Sequence, residues 1–249
     1  MIDITIKTAR EAGALALRYF KTQPKVSYKL DQTPVTRADI EAERLIRKII
    51  TSHFPDHGII GEELENTNPK AKHQWVIDPI DGTKSFIRGI SFWSTLIALL
   101  ENGKPIIGIS FSPTTDELFI AQKGKGTYLN DKRIHVSKIS NLKHAYLTHS
   151  SVDAFEKKSM LTGFMNLYKS TNSHRGFGDS FGYHLLIQGK VDIMVEAKDK
   201  LYDIAAPSIL VEEAGGKFSD LNGKFSLTSD CAVATNGLLH DQILKILNS

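Results

Sequence analysis

The stretch Trp75-Val76-Ile77-Asp78-Pro79-Ile80-Asp81-Gly82-Thr83 runs an apolar strand straight into two carboxylates three residues apart. Carboxylates at a strand end suit a hard divalent cation, which takes oxygen ligands. Pro79 stiffens the turn and Gly82 permits close backbone approach. If the amides of Gly82 and Thr83 open a helix, they point at an anion, and metal and phosphate then meet at one place. An isolated Asp-Gly is ordinarily a simple β-turn, and only the full string raises it above that reading. Gly61-Glu62-Glu63 comes directly after apolar Ile59-Ile60, although a Glu-Glu pair alone is usually a solvated face. Asp203 stands in Leu201-Tyr202-Asp203-Ile204-Ala205-Ala206, where a helix should start and where aspartate is more often an N-cap than a ligand. All three sites are carboxylates at the junction of a strand and the next element, and in a layered α/β fold such ends converge on one crevice.

Other chemistries have less support. The nine histidines contain no H-E-x-x-H and no tight cluster, which argues against zinc catalysis. Ser91 and Ser94 lie in no G-x-S-x-G elbow, and although Gly178-Asp179-Ser180-Phe181-Gly182 fits those letters, the residues before it, Arg175-Gly176-Phe177, form no apolar strand run, so hydroxyl-nucleophile catalysis has little support. Gly124-Lys125-Gly126 lacks the third glycine of a dinucleotide fingerprint and reads as a hairpin turn. The aspartyl-phosphate phosphatases use D-x-D-G-T, but here two residues separate the aspartates, and the motif falls a third of the way into the chain. Cys231 is the single cysteine, so no intrachain disulfide or C-x-x-C pair exists, and a small core residue is the expected role. Trp75 and Trp93 read as core or interface residues.

The positioning elements are read from periodicity. Ile6, Ala9, Gly13, Ala16, Leu17 and Phe20 recur at helical spacing until Pro24. A second helix starts at Thr36, with Asp39 in its first turn where the dipole favours negative charge, and ends at Pro55. Short apolar runs at 58–61, 75–77, 94–100, 106–111, 118–122 and 127–129 read as strands. Several succeed one another with no helix between, which favours antiparallel pairing. Beyond them, 145–148 reads as a strand, 154–168 and 180–188 as helices, and 192–195 as a strand. A last helix runs from about Ile204 to Ala214, stopped by Gly215-Gly216. The expectation is a layered α/β fold in one unit, 1–249, with subdomains 1–140 and 141–249 and no linker rich in Pro, Gly or Ser.

The length of 249 residues and 41% hydrophobic content allow a sizeable core and exclude a disordered or fibrous chain. Charge of +3 is spread without long like-sign runs, so nucleic acid is not the default partner. The amino terminus carries Asp3 and Glu11 and reads as a helix, not a signal, and no apolar run approaches the ~20 residues of a membrane span. A soluble, cytoplasmic protein is expected. A binding module that engages nucleic acid or protein through basic patches is the non-enzymatic alternative, against which every metal-type carboxylate is present.

In their order, Gly61-Glu62-Glu63, Asp78 to Thr83, and Tyr202 to Ala206 with the later Glu213-Ala214-Gly215-Gly216 resemble the signature of the inositol monophosphatase-like, magnesium-dependent phosphatases. The likeness covers nearly the whole chain, and Thr36 to Asp39 is similar to that family's T-x-x-D element. Asp81-Gly82-Thr83-Lys84-Ser85-Phe86-Ile87 departs from the T-x-N-F pattern of inositol phosphatases. Together with Arg175-Gly176-Phe177-Gly178-Asp179 and Gly182-Tyr183 it is most similar to histidinol-phosphate phosphatases. The resemblance implies a five-layered αβαβα sandwich, with a mixed, largely antiparallel N-terminal sheet and a smaller C-terminal sheet, usually as a homodimer. It implies hydrolysis of a small phosphate monoester, L-histidinol phosphate first, by water activated at two or three Mg²⁺, with inhibition by lithium. Inositol phosphate and 3'-phosphoadenosine 5'-phosphate are the alternative substrates. Carried over by position, Glu62, Asp78 and the Ile80 carbonyl hold one metal, and Asp78, Asp81 and Asp203 hold the second. Glu62 and Thr83 position the attacking water, and Asp39 orients the Thr83 hydroxyl. Phosphate and the organic part of the substrate meet Asp81, Gly82, Thr83, Arg175, Asp179, Glu196 and Asp203. Read from the sequence alone, Arg175 suits solvent as well as phosphate, and Glu196 could be an exposed strand end.

Overall fold

The computed structural model describes residues 1–22, 26–29 and 34–249; Pro24, expected to close the first helix, lies outside them. Helices α1 (Ile2–Phe20) and α2 (Arg37–His53) form an outer layer. Thr36 caps α2 in a capping box: its hydroxyl accepts from Ala38 N, and its amide donates to Asp39. Beneath this layer lies a seven-stranded sheet, ordered in sequence from β3 to β9. Its strands are β3 (Gly58–Gly61), β4 (His73–Asp81), β5 (Ser94–Glu101), β6 (Lys104–Ser112), β7 (Glu117–Gln122), β8 (Gly126–Leu129) and β9 (Lys132–Ile134). Only β3 and β4 pair parallel; the other neighbours are antiparallel. The short α3 (Thr83–Ile87) comes after β4, and a hairpin of β1 (Val26–Tyr28) and β2 (Pro34–Thr36) precedes α2.

The second half builds a five-stranded mixed sheet in the order β11-β10-β12-β14-β13. These are β10 (Tyr146–His149), β11 (Ser173–Arg175), β12 (Ile193–Glu196), β13 (Lys217–Ser219) and β14 (Ala232–Thr235). Between the two sheets lie α6 (Asp179–Ile187) and α7 (Leu201–Glu213), and α4 (Val152–Lys157), α5 (Leu161–Ser170) and α8 (His240–Leu247) cover the outer face. The result is αβαβα, with one apolar core under each helix layer. α7 is buried from Ile204 through Val211 because it touches both sheets, so its sequence is apolar all round.

The strand runs read from the sequence match β3 to β8 within a few residues. The helix expected over 154–168 is instead two, because the chain turns back after Lys157. Ser159 is left-handed at φ 58°, and Met160 N donates to Phe155 O, a Schellman closure with serine in the usual glycine place. Trp75, Trp93 and Cys231 are all buried.

Glu213 of the Glu-Ala-Gly-Gly element is a tie between layers. From the end of α7 its carboxylate accepts from the Gly124 and Gly126 amides at 2.7 and 2.8 Å, holding the β7–β8 turn. Glu213→Ala should cost about 1–3 kcal/mol, since charge-assisted bonds to two amides are lost. Glu213→Gln should cost less, and thermal melts that leave both variants at the wild-type Tm would remove this role.

Candidate active site

β4 delivers Asp78 and Asp81. Residues an odd number apart on a regular strand point to opposite faces, and here the ladder is irregular: Asp78 pairs with Leu96 and Asp81 with Ser94. Three steps on β4 thus face two on β5, a bulge that turns both carboxylates to one side. That side is the one carrying Val76 and Leu96, toward the α6–α7 layer. The bulge is held by Ile80 N donating to Asp78 Oδ1 at 2.9 Å and Thr95 Oγ1 donating to Pro79 O at 2.9 Å. Gly82 then leaves β4 at φ 86°, a left-handed turn that suits glycine, and Thr83 opens α3.

Asp203 arrives in the first turn of α7, where its carboxylate accepts from the Lys200 amide at 2.7 Å. Pro207 has no N–H to give the Asp203 carbonyl four residues back, which releases that end of the helix from one bond. One carboxylate oxygen each of Asp78, Asp81 and Asp203 lies within 4.8 Å of the other two, the only such metal-type group among the described residues. Ser180 N, at the start of α6, donates to Asp81 Oδ2 at 2.6 Å and ties the two halves of the chain together.

Glu62 and Glu63 close β3 beside this group. Gly61 is glycine by necessity, since a Cβ there would sit 2.0 Å from Glu43 Oε1. Fully buried Glu43 is paired with Arg47 Nε at 2.7 Å and accepts from Glu63 N at 2.8 Å, so α2 fixes the end of β3. Lys29 Nζ donates at 2.8 Å to both Glu62 Oε1 and Glu63 Oε1. Burial pulls the Lys29 ammonium toward deprotonation, but the two carboxylates outweigh it and hold it charged.

Crowding shows in the protonation of these groups. Burial, then Glu62, Asp81 and Asp203, push the Asp78 carboxyl well above the usual range. Burial, then Asp179 and Asp203, do the same to Asp81 against the Ser180 hydrogen bond. Burial raises Asp203 to about 7, Glu63 to about 7 and Asp39 to about 6. Oxygen donors that repel one another at this spacing fit a hard divalent cation.

The remaining expected residues divide. Thr83 Oγ1 donates to the Ile80 carbonyl at 3.0 Å and makes no bond to Asp39. Asp39 instead accepts from Thr36 through Oδ2, and its buried Oδ1 has no partner. Asp179 stands exposed at the mouth, left-handed at φ 54°. Glu196, at the end of β12, is buried, not an exposed strand end, and its Oε1 is unpartnered. Arg175 is exposed, its guanidinium donating to the His174 carbonyl. Lys29 and Asp199 carry no signal that singles them out in the sequence, and Tyr183 enters there only as part of the Gly182-Tyr183 likeness, with no role of its own. Asp199 sits among lysines and reads as surface, Tyr183 as part of an apolar helix, and only their unpaired polar atoms or partners distinguish them.

The chain matches the inositol monophosphatase family over residues 1–249. It belongs to that family. The chain is therefore a phosphatase of this family. A histidinol-phosphatase of Mycobacterium tuberculosis is 37% identical over 242 residues, covering 95% of this chain and 90% of its own length. A fructose-1,6-bisphosphatase/inositol-1-monophosphatase of Thermotoga maritima is 33% identical, covering 99% and 95% respectively. The structure of the extragenic suppressor protein suhB from Bartonella henselae superposes with a TM-score of 0.93 at 28% identity, over 100% of this chain and 98% of that one. The layered α/β fold inferred from the sequence is that of these relatives. No helix among the described residues is long and apolar enough to cross a membrane.

The raised carboxyls set a pH dependence. With no cation bound, Asp203 and Asp39 hold protons more tightly folded than unfolded, so their stabilising effect is full below about pH 4. It is lost as pH rises through about 6 for Asp39 and about 7 for Asp203. Chelated protein should therefore melt lower at about pH 8 than at about pH 5. Added divalent cation should raise Tm more at the higher pH, and an equal rise at both would contradict a carboxylate site.

Proposed function

We propose that this chain hydrolyses L-histidinol phosphate to L-histidinol and phosphate with Mg²⁺. The observation that carries the reading is the approach of Asp78, Asp81 and Asp203 to within 4.8 Å, and Glu196, at the end of β12, is a further buried carboxylate. The likeness to the mycobacterial histidinol-phosphatase supports the substrate. Asp78, Asp81 and Asp203 would hold one cation, and Glu62, Asp78 and the Ile80 carbonyl another. When bound, such cations neutralise phosphate oxygens and lower the pKa of water.

The chain's own groups supply position. Gly82 and Thr83, at the turn into α3, place backbone N–H groups for the phosphate. Thr83 and Glu62 orient the attacking water. Lys29 pairs with Glu62 in the present arrangement, and a cation arriving at Glu62 would compete with that pairing. Asp39 contributes a buried carboxylate whose free Oδ1 can accept from the water or the Thr83 hydroxyl once Thr83 turns from Ile80. Glu196 and Asp179 face the organic part of the substrate, whereas Arg175 is turned to its own strand. The exposed Ile90 and Phe92, in the loop between α3 and β5, suit the homodimer implied by the resemblance; a single-chain mass by sedimentation equilibrium would remove it.

An inositol phosphate or a sugar bisphosphate is the second reading, favoured by the Thermotoga relative. Phosphate release from a panel of histidinol phosphate, inositol phosphate, fructose 1,6-bisphosphate and 3'-phosphoadenosine 5'-phosphate, with Mg²⁺ or with chelator, separates them. Histidinol phosphate should lead the panel, chelator should abolish turnover, and lithium should inhibit. Asp81→Asn and Asp203→Asn should keep the fold and lower turnover by roughly 10² or more, as when one electrostatic stabiliser is lost. Full turnover in chelator would defeat the metal assignment, and a preference for inositol phosphate would defeat the substrate.

A further inference from the structure

Glu196 does not stand alone beyond the metal-type carboxylates. It is 5% exposed, and its Oε1 is buried without a hydrogen-bond partner. Asp199, in the turn between β12 and α7, likewise buries an unpartnered Oδ2. The backbone of that turn is pinned, since Asp199 N donates to Asp230 O at 3.1 Å. Tyr183, on α6 and 3% exposed, presents a buried hydroxyl with no partner. These three groups converge electrically: after burial, Asp199 and then Glu196 are the largest influences keeping the Tyr183 proton on. Asp199 follows Glu196 by three residues in the turn that leads to α7, and α6, which carries Tyr183, packs against both β12 and α7.

A buried polar group left unpaired costs about 1–3 kcal/mol, more when charged, and native proteins retain few of them. Three at one place is a site shaped for something absent. A small metal ion does not fit, because among the described residues no second set of three carboxylates or histidines brings ligand atoms within 4.8 Å. A protonated primary amine does fit. It offers three N–H donors on arms of hydrogen-bond length, and it can bridge oxygens too far apart to share one small ion.

We propose that Asp199, with Glu196 and Tyr183, forms a subsite for a protonated amine carried by the substrate near its phosphate ester, and that Asp199 is a specificity-determining residue. This rests on the reading of the neighbouring carboxylates as a phosphomonoesterase centre. The amine takes the three orphaned acceptors, and the phosphate lies toward Asp81 and Asp203. An ester lacking the amine leaves two carboxylates buried and unpaired, so discrimination comes mainly from rejecting it.

The test crosses substrate with enzyme: histidinol phosphate and its deamino analogue, each with wild type and Asp199→Asn, in saturating Mg²⁺. Wild type should favour the amino ester, and in Asp199→Asn kcat/KM for it should fall at least about 10-fold further than for the deamino ester. Tyr183→Phe should shift the ratio in the same direction by less. The Tm of chelated Asp199→Asn should equal or exceed that of wild type, because a carboxyl that burial and its acidic neighbours make costly to ionise is replaced by a neutral amide of the same shape. Asp199→Ala serves as the second variant with the same expected ratio. Equal losses on both esters, or a marked drop in Tm for both variants, would overturn the subsite. A wild type that prefers inositol phosphate to histidinol phosphate would defeat the proposed substrate alone, since the subsite is judged only on the amino and deamino pair.

Discussion

Asp78, Asp81 and Asp203 bring like charges within 4.8 Å in a largely buried crevice, and everything around them works against their repulsion. Carboxylates this close would separate or take up protons if left to themselves. The fold prevents separation by giving them rigid supports of different kinds. A bulged central strand holds two, and the first turn of a helix wedged between two sheets holds the third. Backbone amides at Ile80, Ser180 and Lys200 supply partial positive charge directly to the three aspartates. The remaining misfit is carried as raised proton affinity, and that is the property a divalent cation exploits.

The supports are themselves held by polar groups, some fully buried and some at the surface. Glu43 and Arg47 do for the end of β3 what the bulge does for β4: they fix a carboxylate-bearing strand end from behind, Glu43 fully buried and Arg47 largely so. Glu213 plays a similar part at the far end of α7, locking it to the β7–β8 turn. Removing one member of such a pair leaves the other uncompensated, so these residues act as alignment devices whose cost falls on stability first.

Much of this is legible in the amino-acid sequence. An apolar run ending in Asp78 and Asp81 announces a strand-end site, and Thr36 with Asp39 announces the start of α2, because both signals are local. The bulge is not legible, since it exists only in the register of β4 against β5. The break at Ser159 escapes because a serine there takes the left-handed conformation that glycine usually marks. β14 and α8 give no clear signal, being short and dependent on the second sheet for their burial. Asp199 shares its turn with Lys198 and Lys200, which disguises a buried carboxylate as surface charge. Only the lack of a partner for its Oδ2 reveals it.

The hydrogen bond from Ser180 N to Asp81 Oδ2 joins residues from opposite halves of the chain. During synthesis, β3 to β9 can be complete while α6 and α7 are still unmade, so Asp78 and Asp81 emerge long before Asp203. A cation cannot meet its full set of ligands until the last fifth of the chain has begun to leave the ribosome. The binding energy of such a cation would therefore be withheld from partial products and delivered only when both sheets have docked on α7. An ion held there would act as a late clasp, rewarding completion of the chain and giving no shelter to its fragments.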